Sequence, residues 1–292
     1  MARVSVGVLL LAGVSIGSTI GCKVNRALEE LAQARALSAD LLVQFTKAAD
    51  AGNRAVMADT DSLSVDYARE ASTAKQAVRT DLTTLRPLLE QLKFTDESRL
   101  LQQFVDRFAL YEALDKHILE LAVENTNLKA QRLSFGPAQA ASESFRRALE
   151  GITPASPKDE WHVRGLAASA IGSVREVQVL QGPHIADPDD SVMTRLEDQM
   201  AASEAEARTA LTALTPLVDP GSRQRLSDAL AALEQLMSVN SQIVGLSRRN
   251  TNVRSLALSL KEKPPLTTAC EQSLRALSDA LRKRGYQHGR YD

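Results

Sequence analysis

The chain has 292 residues, enough for two ordinary domains, with 44% hydrophobic but only 4% aromatic residues. Its 35 basic and 36 acidic side chains leave a formal net charge of −1, so no field favours nucleic acid. Ala, Leu, Glu, Gln and Arg dominate, which is the composition of long helices, and two cysteines, Cys22 and Cys270, imply no disulfide framework.

The first 22 residues have the layout of a secretory signal: Arg3, an apolar run from Val4 to about Ile20, then small residues. Thr19-Ile20-Gly21-Cys22 resembles a bacterial lipobox, with Thr19 where Leu is usual. The expectation is lipidation of Cys22, whose several acyl chains tether the mature protein on the periplasmic side of a bacterial membrane. The alternative is a single uncleaved N-terminal anchor; the run is short for a span, and Lys23 and Arg26 follow it directly.

Residues 25–57 read as a helix, with Leu28, Leu31, Leu37, Leu41 and Phe45 on a recurring face. A polar break at Asp59-Thr60-Asp61-Ser62 leads into a second helix to about Leu92. Thr95-Asp96-Glu97-Ser98 then caps a third, expected to run unbroken to about Leu133. Phe135-Gly136-Pro137 reads as its stop, and a shorter helix covers 138–149. Two prolines and a glycine in 151–157 mark the expected domain boundary. The order then restarts: a helix over 160–180, a turn at Gly182-Pro183, a helix over 190–218, a break at Asp219-Pro220-Gly221-Ser222, a helix to about Leu260, and a last one over 266–283.

The restart is a repeat. Residues 121–134, LAVENTNLKAQRLS, match 246–259, LSRRNTNVRSLALS, at a constant offset of 125, with six of fourteen positions identical. Leu114, Ile118, Leu121, Asn125 and Leu128 fall on one helix stripe, as do Val239, Ile243, Leu246, Asn250 and Val253. Asn125 and Asn250 thus stand on the apolar seam. They serve either as devices that fix helix register or, with Asn127 and Asn252, as polar groups in a ligand pocket. Lys129 and its counterpart Arg254 join this candidate set as flanking cations. A second match, 82–88 with 211–217, places Pro87 and Pro216 alike.

The expected fold is all-α: two tandem antiparallel four-helix bundles over 23–153 and 154–285, after the segment 1–22 and before a polar tail 286–292. One continuous helical array is the alternative.

The Asn125–Ala138 stretch NTNLKAQRLSFGPA and the 250–259 stretch NTNVRSLALS resemble the periplasmic four-helix-bundle sensory module of bacterial methyl-accepting chemotaxis receptors. The likeness extends loosely over 27–285. It implies a detached sensory or interaction module, because the second span, linker and signalling hairpin of such receptors have no counterpart here. No ligand residues carry over.

No Glu-x-x-His pairs, Cys-x-x-Cys-His, His-Glu-x-x-His or Gly-rich phosphate loop occurs, so no metal or cofactor is expected. No nucleophile, base and orienter can be grouped from the sequence, and an enzyme is not expected. Trp161 is expected to anchor packing between the bundles, and Cys270 to be a small buried hydrophobe. The first expectation is a non-enzymatic sensory module that binds a small molecule or an envelope protein, with homodimerisation through an apolar face plausible. Its rival is a structural lipoprotein, a helical spacer or assembly factor in an envelope complex.

Overall fold

The computed structural model describes residues 18–284, with side chains from Arg26 onward. Residues 1–17 of the expected signal segment, the side chain of Cys22 on which lipidation is expected, and the tail 286–292 lie outside what is so described. The fold is all-helical, and none of the described helices is long and apolar enough to cross a membrane. In order the helices are α1 (Ser18–Met57), α2 (Asp61–Gln91), α3 (Thr95–Glu124), α4 (Thr126–Leu133), α5 (Gln139–Glu150), α6 (Glu160–Ala186), α7 (Asp190–Leu214), α8 (Arg223–Arg249), α9 (Thr251–Lys261) and α10 (Lys263–Lys283).

The apolar stripes explain these elements. One stripe of buried positions along α3 and at its end is Leu101, Phe104, Phe108, Tyr111, Asp115, Ile118, Ala122 and Asn125, alternating three and four apart. On α8 they are Leu226, Ala229, Leu233, Leu236, Asn240, Ile243, Ser247 and Asn250, each the offset-125 counterpart of the α3 residue. The expected seam is therefore right at Ile118 and Asn125. Leu121 and Val239 are buried beside this stripe, and Leu114 and Leu246 pack partly buried against the core, while the stripe itself also takes in Asp115 and Ala122.

Contacts divide the chain into two compact units that cross the expected boundary at 153/154. Among the described residues, the first takes 18–48, 73–109 and 267–284. Its core holds Leu41 and Phe45 of α1, Leu85 and Leu89 of α2, Leu101, Phe104 and Phe108 of α3, and Cys270, Leu274, Leu277 and Leu281 of α10. Phe45 meets Phe104 and Phe108 edge-on at 6.1 Å. Ser38 bonds Ser278, and Arg107 donates to the Ala269 carbonyl, which tie α10 to α1 and α3. Cys270 is enclosed, as expected, and burial pushes its thiol up to about 12.

The second unit takes 49–72 and 110–266. Its main core joins Ala138, Phe145 and Leu149 of the α4–α5 segment to Val163, Ala170 and Val174 of α6, Leu211 and Leu214 of α7, and Leu233, Leu236 and Ile243 of α8. So 126–150 packs its apolar face with helices that follow it in the chain. The 151–157 segment lies inside this unit and is bonded into it. The Ala155 amide donates to the Leu217 carbonyl at 2.8 Å, the Asp219 amide to the Thr153 carbonyl at 3.1 Å, and the Thr153 amide to Ser222 Oγ at 2.9 Å.

Several expected breaks are absent. Ser134–Ala138 forms one π turn that carries Phe135-Gly136-Pro137 without ending the helix. The wider turn leaves room for the proline ring. Pro183 lies within α6, where a turn was expected, whereas Pro87 stands near the end of α2, as expected. The stop expected after Leu260 is present, with α9 ending at Lys261, and Pro264 and Pro265 sit in the first turn of α10, where a missing N–H costs little. Trp161 is 83% exposed rather than packed.

Candidate functional site at the paired Asn-Thr-Asn turns

Each of the two long helices expected to run through the repeat is interrupted by one residue. Asn125 (φ 52°, ψ 41°) separates α3 from α4, and Asn250 (φ 51°, ψ 38°) separates α8 from α9. Both are left-handed, a conformation Asn tolerates better than other side chains with a β-carbon. This corrects the reading of an unbroken helix on each side.

The two turns face each other and exchange hydrogen bonds reciprocally. The Thr126 amide donates to Thr251 Oγ1 and the Thr251 amide to Thr126 Oγ1, both at 3.1 Å, with the hydroxyls 3.2 Å apart. The Asn127 amide donates to Asn252 Oδ1 and the Asn252 amide to Asn127 Oδ1, both at 3.1 Å. Asn127 Nδ2 donates to Asn250 Oδ1 and Asn252 Nδ2 to Asn125 Oδ1, both at 2.8 Å. The first amides of α4 and α9 lack partners within their own helices. Each set is capped by side chains of the other turn.

The symmetry breaks at the edge. Asn127 Nδ2 also reaches the Ile185 carbonyl at 2.6 Å, and Asn250 Nδ2 reaches the Asp187 carbonyl at 2.8 Å, both at the α6–α7 corner. Asn125 Nδ2, buried, has no partner. Lys129 Nζ donates to the Glu124 carbonyl at 2.7 Å and caps the last turn of α3. Its counterpart Arg254 is exposed. Arg249 pairs with Glu124.

Three buried polar clusters next to the turns escaped the sequence reading. His184, fully buried, places Nε2 2.7 Å from Glu197 Oε1 and Nδ1 2.6 Å from Ser247 Oγ. Arg248 Nε, 2.6 Å from the same carboxylate oxygen, holds Glu197 below the usual carboxylate range, helped by His184. Glu197 is then an acceptor only, so His184 Nε2 carries the proton between them. Serine, histidine and glutamate stand in triad order, but Ser247 is enclosed and also bonds the Val244 carbonyl, so its oxygen offers no face to a substrate. The group ties α6, α7 and α8 together.

The second cluster runs Ser134 Oγ to Gln181 Oε1 at 2.7 Å, then Gln181 Nε2 to Asn240 Oδ1 at 2.9 Å. The third is a buried ion pair, Lys263 Nζ to Asp115 Oδ1 at 2.8 Å, with the Tyr111 hydroxyl donating to the same oxygen at 3.4 Å. Gly52 makes room for it: a β-carbon there would stand 2.7 Å from Lys263 Nζ and 2.9 Å from Asp115 Oδ1. One signal could have exposed these clusters. Asp115 and Asn240 are polar residues at matched seam positions in both copies.

The arrangement joins the two turns through side chain–backbone and side chain–side chain bonds. Among the described residues no group of three or more His, Cys, Asp or Glu side chains is placed to hold a metal ion. Comparison with protein-family models, curated proteins and solved structures finds no match for the chain.

Proposed function

We propose that this chain is a non-catalytic helical module, tethered on the outer side of a bacterial membrane through Cys22, that works by binding, in the manner of a chemoreceptor sensory domain. In this reading each unit is a four-helix bundle, and the two bundles descend from one duplicated segment. Supporting it are the likeness of NTNLKAQRLSFGPA and NTNVRSLALS to such modules and the seam of α3 repeated position by position in α8. The observation that carries it is the reciprocal lock of the two Asn-Thr-Asn turns. It adds a set of buried polar bonds to the apolar packing that joins α3 and α4 to α8 and α9.

A second reading is a lipid-anchored spacer in an envelope complex. It is favoured by the Asn127, Asn250 and Asn252 amides being spent on one another and on carbonyls. The experiment is expression of the full chain with its native N terminus, followed by acyl labelling, membrane fractionation and cross-linking to envelope proteins. Wild type is expected to be acylated, membrane-retained and cross-linked to a defined partner, and Cys22→Ser to lose the first two. Identical labelling and retention for both proteins would remove the tether. Retention without any specific cross-link would favour the spacer.

A further inference from the structure

The Phe135-Gly136-Pro137 stretch has a consequence beyond the turn it forms. A groove of about 510 Å³ lies between the π turn with α5 on one side and α6 on the other, within the second unit. That volume is in the range of small-molecule sites. Its floor is the core itself, with Phe145 and Val174 buried. Its apolar walls are open: Phe135 is 75% exposed and Val179 60%. Single π turns recur at functional sites, because the extra residue re-aims side chains that an α-helix would place elsewhere. Here the turn carries the aromatic ring.

The charge on the lining points to the ligand. Arg146 donates to Glu143 and Glu150 on its own helix, so Glu143 and Arg146 largely cancel. This pairing holds the Glu143 carboxyl below its ordinary value. Arg175 on α6 is exposed and has no ion-pair partner among the described residues. Arg175 is thus the one charged side chain of the lining with no ion-pair partner among the described residues, a guanidinium free to form two parallel bonds. Gln139, Ser142 and Gln178 add neutral polar groups.

We propose that this groove binds a small organic anion with an apolar body: the carboxylate or sulfonate on Arg175, the body on Phe135, Val179 and Ile171. A forked charge-assisted contact suits Arg and a planar carboxylate. The proposal rests on the reading of the chain as a binding module and supplies the ligand class for it. The groove also abuts Ser134, whose hydroxyl starts the chain to Gln181 and Asn240 on α8. An occupant there has a polar route into the core.

The test is calorimetric titration of the full chain with 1-naphthoate and with its neutral analogue 1-naphthalenemethanol. Wild type is expected to bind the acid more tightly than the alcohol. Arg175→Gln is expected to weaken the acid about tenfold or more and the alcohol less than about twofold. Arg175→Lys should fall between, and Phe135→Ala should weaken both ligands. Melting curves check that these exposed substitutions leave the fold intact. Wild type binding neither ligand at millimolar concentration overturns the site. So does Arg175→Gln binding the acid as well as wild type. In either case a persisting cross-link to an envelope partner would leave the module reading standing.

Discussion

At Asn125 and Asn250 one side chain does two jobs. It permits a left-handed backbone, and it supplies the amide that grips the opposite turn. Alanine removes both. It costs about 1–2 kcal/mol for the left-handed β-carbon and roughly 1 kcal/mol for each hydrogen bond lost. Asn250 uses both amide atoms, whereas Asn125 uses only Oδ1. Asn250→Ala is therefore expected to lower urea stability more than Asn125→Ala, by about one hydrogen bond. Asn250→Gly, which removes the strain but not the lost bonds, should lie between Asn250→Ala and wild type. Equal losses for the two alanine variants would contradict the asymmetry. The sequence placed these asparagines on the seam correctly. It concealed the break because apolar spacing persists up to each Asn, and a single left-handed residue leaves no mark in periodicity. The mark was the residue type itself: Asn at matched positions in both copies.

At the scale of the helices, stability is divided between apolar stripes, which composition makes legible, and buried ion pairs, which it does not. Glu97, near the start of α3, receives both nitrogens of a fork from Arg284 at 2.8 Å, just past α10. Arg284 in turn lies over the Phe94 ring, 4.6 Å from its centroid. The side-chain bond from Arg284 holds the Glu97 carboxyl below its ordinary value of 4.5, against the opposing effect of burial. The sign follows from linkage. A carboxyl depressed in the fold stabilises it fully above the unfolded value, and that stabilisation is lost as pH falls through the depressed one. The Glu197–Arg248 pair adds in the same direction. Wild-type urea midpoints are expected to drop as pH falls below about 4.5. Arg284→Gln should be less stable at neutral pH and show a shallower drop. Parallel curves for the two proteins would mean that the fork does not tie α10 to α3. No spacing rule could have paired residues so far apart; their proximity is a product of the fold.

For the whole molecule, the informative fact is which segments share a core. The α4–α5 segment precedes the 151–157 loop yet packs in one core with α6, α7 and α8. The α10 helix follows the loop yet bonds α1 and α3. Cutting the loop therefore leaves each fragment holding a helix that the other needs. A protease site engineered between Thr153 and Pro157 is expected to yield a nicked protein that elutes from size exclusion as one particle and separates only in denaturant. Fragments that part under native conditions would restore the simple division at 153/154. The proline-rich punctuation was visible in the sequence. That it punctuates without dividing was not, because local composition reports where a helix stops and not which core the next one joins.

The buried Lys263–Asp115 pair bears on how a chain with two similar stretches assembles without confusion. At the offset of 125, Lys263 corresponds to Ala138 and Asp115 to Asn240, so only one copy carries the charges. If α5 and α10 traded seats, Lys263 would leave Asp115 and Asp115 would face the methyl group of Ala138. A buried charge stripped of its partner costs about 3–5 kcal/mol. The ammonium group therefore favours α10 over α5 in the seat beside Asp115.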